Sequence, residues 1–315
     1  MFCIDLLLNH FFVDVSAKTI FSNFMKSTTL LLIISTTLFF LSDYKNTVQR
    51  NNPIAKSNYS TKIQPKFQLV WSDEFNNEGV PDSTKWRFET GFVRNKEDQW
   101  YQQENAVCSK GNLVITGKKE RRANPNFMEG SADWRKNRQF IEYTSASVVM
   151  KKVHAFQYGK MEVRAKIITQ TGLWPAIWTL GINGEWPSNG EVDVMEYYDD
   201  KILANYAYGT QTRYKAIWDG YKKPMGDFPV NWADSYHIWT LEWTEHKMDI
   251  LLDGVSMNLI DLTQSINKSD GKNPFQQAHY LLLNLALGGQ NGGSLANTTF
   301  PSQYLVDYIR IYSFK

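Results

Sequence analysis

Between Gly159 and Thr169 apolar and charged residues alternate one for one, Met161, Val163, Ala165 and Ile167 against Glu162, Arg164 and Lys166. Only a strand sends successive side chains to opposite faces, so the run predicts a strand with one buried and one solvated side. Tyr236 to Trp243 and Met248 to Leu252 read the same way, the second closed by the turn pair Asp253-Gly254. Helix signals are weak, with Leu262 to Ser269 as the best short candidate, and no repeat of about 20–50 residues or glycine-rich phosphate loop breaks the pattern. Many short strands separated by turn signals predict an all-β sandwich.

One run carries chemistry. Glu191-Val192-Asp193-Val194-Met195-Glu196 holds three carboxylates in six residues. On a regular strand Glu191 and Asp193 share a face and Glu196 points away. A β-bulge at Val194/Met195 makes two residues count as one and returns Glu196 to the same face. Retaining glycoside hydrolysis needs a carboxylate nucleophile and a carboxylic acid about 5–5.5 Å from it. Two glutamates leaning along a bent strand suit that requirement, and Asp193 between them can hydrogen-bond one and raise the pKa of the proton donor. The plain alternative is an acidic strand face open to solvent.

The flanks tip the balance. Gly172-Leu173-Trp174-Pro175-Ala176-Ile177-Trp178 and Glu185-Trp186-Pro187-Ser188-Asn189-Gly190 lead into the acids. Indole faces stack on pyranose rings and indole N–H groups reach sugar hydroxyls, so tryptophans beside a carboxylate row suit a polysaccharide groove. Trp186 is read as ligand-facing; for Trp174 and Trp178 a core position is the competing reading.

These residues resemble glycoside hydrolase family 16, in the bulged branch that contains the laminarinases. The resemblance runs from about Phe67 to Lys315 through Val70-Trp71-Ser72-Asp73-Glu74-Phe75, Gly172 to Trp178, Gly190 to Glu196, Leu283 to Gly289, and Val306-Asp307-Tyr308-Ile309-Arg310-Ile311-Tyr312. It implies a concanavalin-like β-jelly-roll with a concave groove, Glu191 as nucleophile, Asp193 as its assisting acid and Glu196 as general acid/base. It also implies a structural calcium on the convex side, held by Glu74 and Gly111 through backbone carbonyls and by Asp307. No organic cofactor is expected for catalysis. Tyr198, Arg213 and Gln290 complete the candidate substrate-binding set, and Tyr197, Trp218, Tyr221 and Asn291 are further candidates for the lining. One departure stands out: the segment Ala204 to Tyr214, where many glucanases of this kind carry a histidine, has none.

A formal net charge of +2 with scattered basic residues argues against a nucleic-acid partner, and the short run Lys118 to Arg122 reads as a solvated face. His10, His154, His237, His246 and His279 show no ligand spacing, which argues against zinc catalysis. Lys26 followed by the apolar stretch Leu30 to Leu41 reads as a signal peptide, too short for a comfortable span. The expected organisation is an upstream extension over 1–24, a signal peptide over 25–42, a polar linker over 43–66 and a catalytic domain over 67–315. Cys3 would leave with the signal, so Cys108 has no internal partner and the fold rests on its apolar core.

The chain is therefore expected to be a secreted, monomeric, endo-acting retaining β-glycanase, periplasmic or extracellular, that cleaves a β-1,3-glucan such as laminarin. An endo-β-galactosidase acting on a galactan or host O-glycan is the alternative. A glycan-binding module without catalysis is the third reading, and it gives no reason for three converging acids.

Overall fold

The computed structural model describes residues 66–315. Its first strands are β1 (Phe67–Asp73), β2 (Trp86–Phe88), β3 (Gln99–Tyr101), β4 (Ala106–Ser109), β5 (Asn112–Ala123), β6 (Phe140–Ser145), β7 (Ser147–Met150) and β8 (Gly159–Lys166). β9 (Leu173–Gly181), β10 (Glu191–Tyr198), β11 (Lys201–Gly209) and β12 (Ala216–Pro224) follow. β13 (His237–Trp243), β14 (Lys247–Leu252), β15 (Val255–Asp261), β16 (His279–Leu287) and β17 (Ser302–Phe314) complete the set. Ten strands form one sheet with the path β15-β14-β13-β8-β17-β5-β6-β3, β1 lying beside β17 and β4 beside β5. The other seven form a second sheet, β12-β11-β10-β9-β16-β7-β2. Two packed sheets of short strands make the β-jelly-roll sandwich that the alternation and the resemblance lead one to expect.

Period two becomes burial directly. On β8 Met161, Val163 and Ala165 are buried while Lys160, Glu162, Arg164 and Lys166 reach solvent. Asp253 and Gly254, at φ of 50° and 77°, form the two-residue turn between β14 and β15, where both central residues need the left-handed region. Trp239, Trp243 and Tyr304 from the larger sheet interlock with Val192, Ile177, Leu281, Leu283 and Leu285 from the smaller one in a single apolar core. Burial of each such side chain is worth about 1.5–3 kcal/mol, so the domain needs no disulfide, and Cys108 is buried and free.

The helix expected over Leu262 to Ser269 shortens to one 3-10 turn, Leu262–Gln264, capped by Asp261. Asn267 and Asn273 donate their side-chain amides to the backbone carbonyls of Ser188 and Leu262, non-local bonds that tie the segment to the rest of the fold. No helix of the described residues is long and apolar enough to cross a membrane. The expected upstream extension, signal peptide and linker, through residue 65, lie outside the described residues.

Candidate active site

β10 lies inside the seven-stranded sheet, between β9 and β11. Val192, Val194, Met195 and Tyr197 enter the core, whereas Glu191, Asp193 and Glu196 line a cavity of about 930 Å³ on the sheet's other face. Two core residues in succession, Val194 and Met195, are the mark of a bulge. Against β11, Asp193 faces Asn205 and Glu196 faces Leu203, three residues set against two; against β9, Asp193 faces Trp178 and Met195 faces Ile177. The extra residue sits where the acid spacing requires it.

Each acid has its own surroundings. Half-buried Glu191 accepts a hydrogen bond from Trp186 Nε1. Glu196 accepts from Trp174 Nε1 at 2.8 Å on Oε1 and from Asn205 Nδ2 at 3.2 Å on Oε2. Asp193 is buried between the two glutamates, and no protein donor reaches its Oδ2. A carboxyl oxygen in that position is satisfied when Asp193 carries a proton and shares it with its neighbours.

The electrostatics agree with that assignment. Burial raises Asp193 well above the usual carboxylate range, and the negative charges of Glu196 and Glu191 raise it further. Burial pushes Glu196 up to about 7, aided by the charge of Glu191 and opposed by the Trp174 and Asn205 donors. Burial also raises Glu191, but the Trp186 N–H, a hydrogen bond with Asp193 and the positive charge of Arg94 all favour its ionised form. The arrangement therefore suits an anionic Glu191 beside a protonated Asp193 and a Glu196 that titrates near neutrality.

Aromatic and polar groups complete the hollow. Trp174, Trp178, Trp186, Tyr198 and Gln290, all expected at the substrate, line it. Trp178 is buried in the floor with its Nε1 bonded to Asn284 Oδ1 at 2.7 Å, and Asn284 donates to the Tyr101 hydroxyl at 3.1 Å. Trp186 and Trp218, 36% and 52% exposed, stand at the rim with ring centroids 6.5 Å apart. Gln290 and Asn291 also border a second, polar hollow of about 420 Å³ beyond Tyr198, which lengthens the cleft past the acids. Gly288, at φ 63°, admits the loop that carries them; a Cβ there would lie 2.1 Å from Asp98 Oδ2.

Arg213 is a correction. It does not line the cavity: both arms of its guanidinium bind Glu185 at 2.6–2.8 Å on the exposed surface, and the group lies over the Tyr214 ring. At the expected calcium ligands the acidic side chains are engaged in ion pairs. Arg310 takes both oxygens of Glu74 at 2.9–3.0 Å, and Arg164 pairs with Asp307. Gly111 sits at φ 72° in the turn between β4 and β5. A calcium at Asp307 would have to share one carboxylate with a guanidinium, with no free carboxylate beside it to offset the added charge. Among the described residues there is no cluster of three or more His, Cys, Asp or Glu fit for a metal; the ion pairs occupy side chains, whereas the ligands expected from Glu74 and Gly111 are backbone carbonyls.

Sequence reasoning missed three groups. Asn205 lies in the segment noted for its lack of histidine. Arg94 stacks 5.0 Å from the centroid of the Trp178 ring, pairs with Glu89, and keeps its buried Nη1 without a protein partner. Glu89, also bound by Ser147 Oγ at 2.6 Å, shares that end of the cavity. Single polar residues, whether within a strand as Asn205 or in a loop as Arg94, carry no periodic signal that could have singled them out.

Comparison with known proteins places this site in context. The model of glycosyl hydrolases family 16 matches residues 94–310. A beta-glucanase of Rhodothermus marinus is 32% identical over 264 residues, covering 79% of this chain and 86% of its own. A solved structure from the human gut microbiota, described with endo-acting O-glycanases that initiate mucin breakdown, is 33% identical with a TM-score of 0.71, covering 79% of this chain and 91% of that one. The catalytic domain of an endo-1,3-beta-glucanase (laminarinase) from Thermotoga petrophila is 32% identical with a TM-score of 0.67, covering 80% of this chain and 100% of that one.

Proposed function

Because the chain belongs to family 16 of the glycosyl hydrolases and is a glycoside hydrolase, we propose that it is an endo-acting β-glycanase that works by double displacement with net retention. The observation that supports this most is the bulge at Val194/Met195, which brings a half-buried glutamate, a protonated aspartate and a near-neutral glutamate to one hollow.

Glu191 attacks the anomeric carbon as Glu196 gives its proton to the departing glycosidic oxygen, breaking the sugar–oxygen bond and forming an ester to Glu191. Esterification removes the negative charge of Glu191, one of the causes that hold Glu196 up. Glu196 then accepts a proton from water, whose oxygen takes the anomeric carbon and releases Glu191 as a carboxylate. Asp193 keeps its proton between the glutamates and follows the charge from one to the other. The second hollow, continuous with the first at Tyr198 and Gln290, suits a polymer that extends past the scissile bond and is cut internally.

For the polymer, a β-1,3-glucan is the first reading, supported by the glucanase relatives. A β-galactosidic chain of a galactan or host O-glycan is the second. It is favoured by Asn205 in the segment where a glucanase-like histidine is absent and by the similarity to the O-glycanase structure. Export through the leader and a monomeric state complete the proposal.

The test is incubation with laminarin, lichenan, agar, porphyran, carrageenan and mucin, with chromatography of the released oligosaccharides. Glu191→Gln and Glu196→Gln serve as controls. Internal fragments from one polymer, absent in both variants, are expected; near wild-type turnover in either variant overturns the assignment.

A further inference from the structure

Asn205 lies on β11 between two partners: Asp193 of β10 on one side and Gly220 of β12 on the other. Its side chain is buried, and the atom facing Glu196 is the Nδ2 donor, since a carboxylate accepts and would repel the amide oxygen. Gly220 is not among the residues with positive φ, so its backbone makes no demand for glycine. In the middle of a strand glycine costs stability and gives nothing to pack, and it often marks a close approach. Here the approach is explicit: a Cβ at Gly220 would lie 1.9 Å from Asn205 Oδ1 and 2.7 Å from its Cγ. The space a side chain would take at Gly220 is filled by the carboxamide of Asn205.

We propose that Gly220 and Asn205 are positioning residues for the acid/base: Gly220 seats the carboxamide, and the carboxamide holds Glu196 Oε2 while Trp174 holds Oε1. The inference rests on the reading of Glu196 as acid/base. An amide does not titrate near neutrality, so it presents the same donor on both sides of Glu196's titration, which an imidazole at this place would not.

Other charged or titratable groups line the same cavity as Glu196, among them Glu89 and Glu97. Glu191, Asp193 and Tyr198 come from its own strand, Asp219 and Lys222 from β12, and Arg94 from the far end of the cavity. None of them fills the space over Gly220. Loss of the Asn205 donor removes support from the carboxylate form, so Glu196 should keep its proton to higher pH.

The test is kcat/KM against pH for Asn205→Ala, Gly220→Ala and the double variant, on whichever polymer the wild type cleaves. Asn205→Ala should lower kcat/KM at the optimum about tenfold and move the basic limb to higher pH. Gly220→Ala should shift the limb in the same direction, because its methyl group expels the carboxamide. In the double variant the methyl group has nothing left to displace, so the loss should match that of Asn205→Ala alone. Losses that multiply in the double variant, or a wild-type limb in either single one, overturn the pairing. Should Gly220→Ala fail to fold, a folded double variant supports the seating, and an unfolded one overturns it. An active Glu196→Gln enzyme would mean that the acid/base reading has failed; an inactive one beside unchanged Asn205 and Gly220 profiles would mean that only the pairing has.

Discussion

Asp193 and Glu196 are three residues apart on β10 but only two apart when measured against β11, where they face Asn205 and Leu203. That difference of one residue puts the outer glutamate in the cleft. Deletion of Met195 should therefore leave Glu196 on the cleft face, since regular alternation then carries the three acids together. The loss of a fully buried methionine should cost about 2–5 kcal/mol. Chemical denaturation and residual hydrolysis check both statements. A folded deletion variant as inactive as Glu196→Gln would show that the bulge itself, and not merely the shared face, is required.

Glu196 should set the basic limb of the pH profile near its pKa of about 7. Trp174→Phe removes an N–H that favours the carboxylate, so the limb should move to higher pH. Glu191→Gln removes a negative neighbour, so the Glu196 titration followed by carbon-13 NMR should move to lower pH. Shifts of the opposite sign would contradict the assigned surroundings.

His279 is buried against Phe275 and Trp243, and burial lowers it from 6.5 to about 4. The unfolded chain then binds the proton first as pH falls. Stability should drop from about pH 6.5 downward and level off near 4, by roughly 3 kcal/mol from this residue. Urea unfolding of the wild type and His279→Gln across that range should show a flatter dependence in the variant. Parallel curves would remove His279 from the account.

Asp307 is paired with Arg164, so a calcium ion there would compete with a guanidinium for the one carboxylate of the expected set. The thermal midpoint is expected to be the same in excess calcium and in chelator. Because the Arg164–Asp307 pair is about one-third exposed, Asp307→Asn should cost under about 1 kcal/mol. A calcium-dependent rise of several degrees would establish a site on this face.

What the sequence determined by itself was everything that follows from local period: the strands of β8, β13 and β14, their buried faces, the Asp253-Gly254 turn, and the bulge implied by Glu191, Asp193 and Glu196. Alternation and spacing are properties of a single strand, so they can be read without knowing its neighbours. Only the tertiary structure decided which groups meet those acids. Asn205 and its seat over Gly220, Arg94 on Trp178, the pairing of Arg213 with Glu185 and the guanidinium on Asp307 join residues that are distant in the chain. Such contacts depend on sheet order and register, which no local pattern encodes, and those made by Asn205 and Arg94 act on the proton affinities of Glu196 and Glu191.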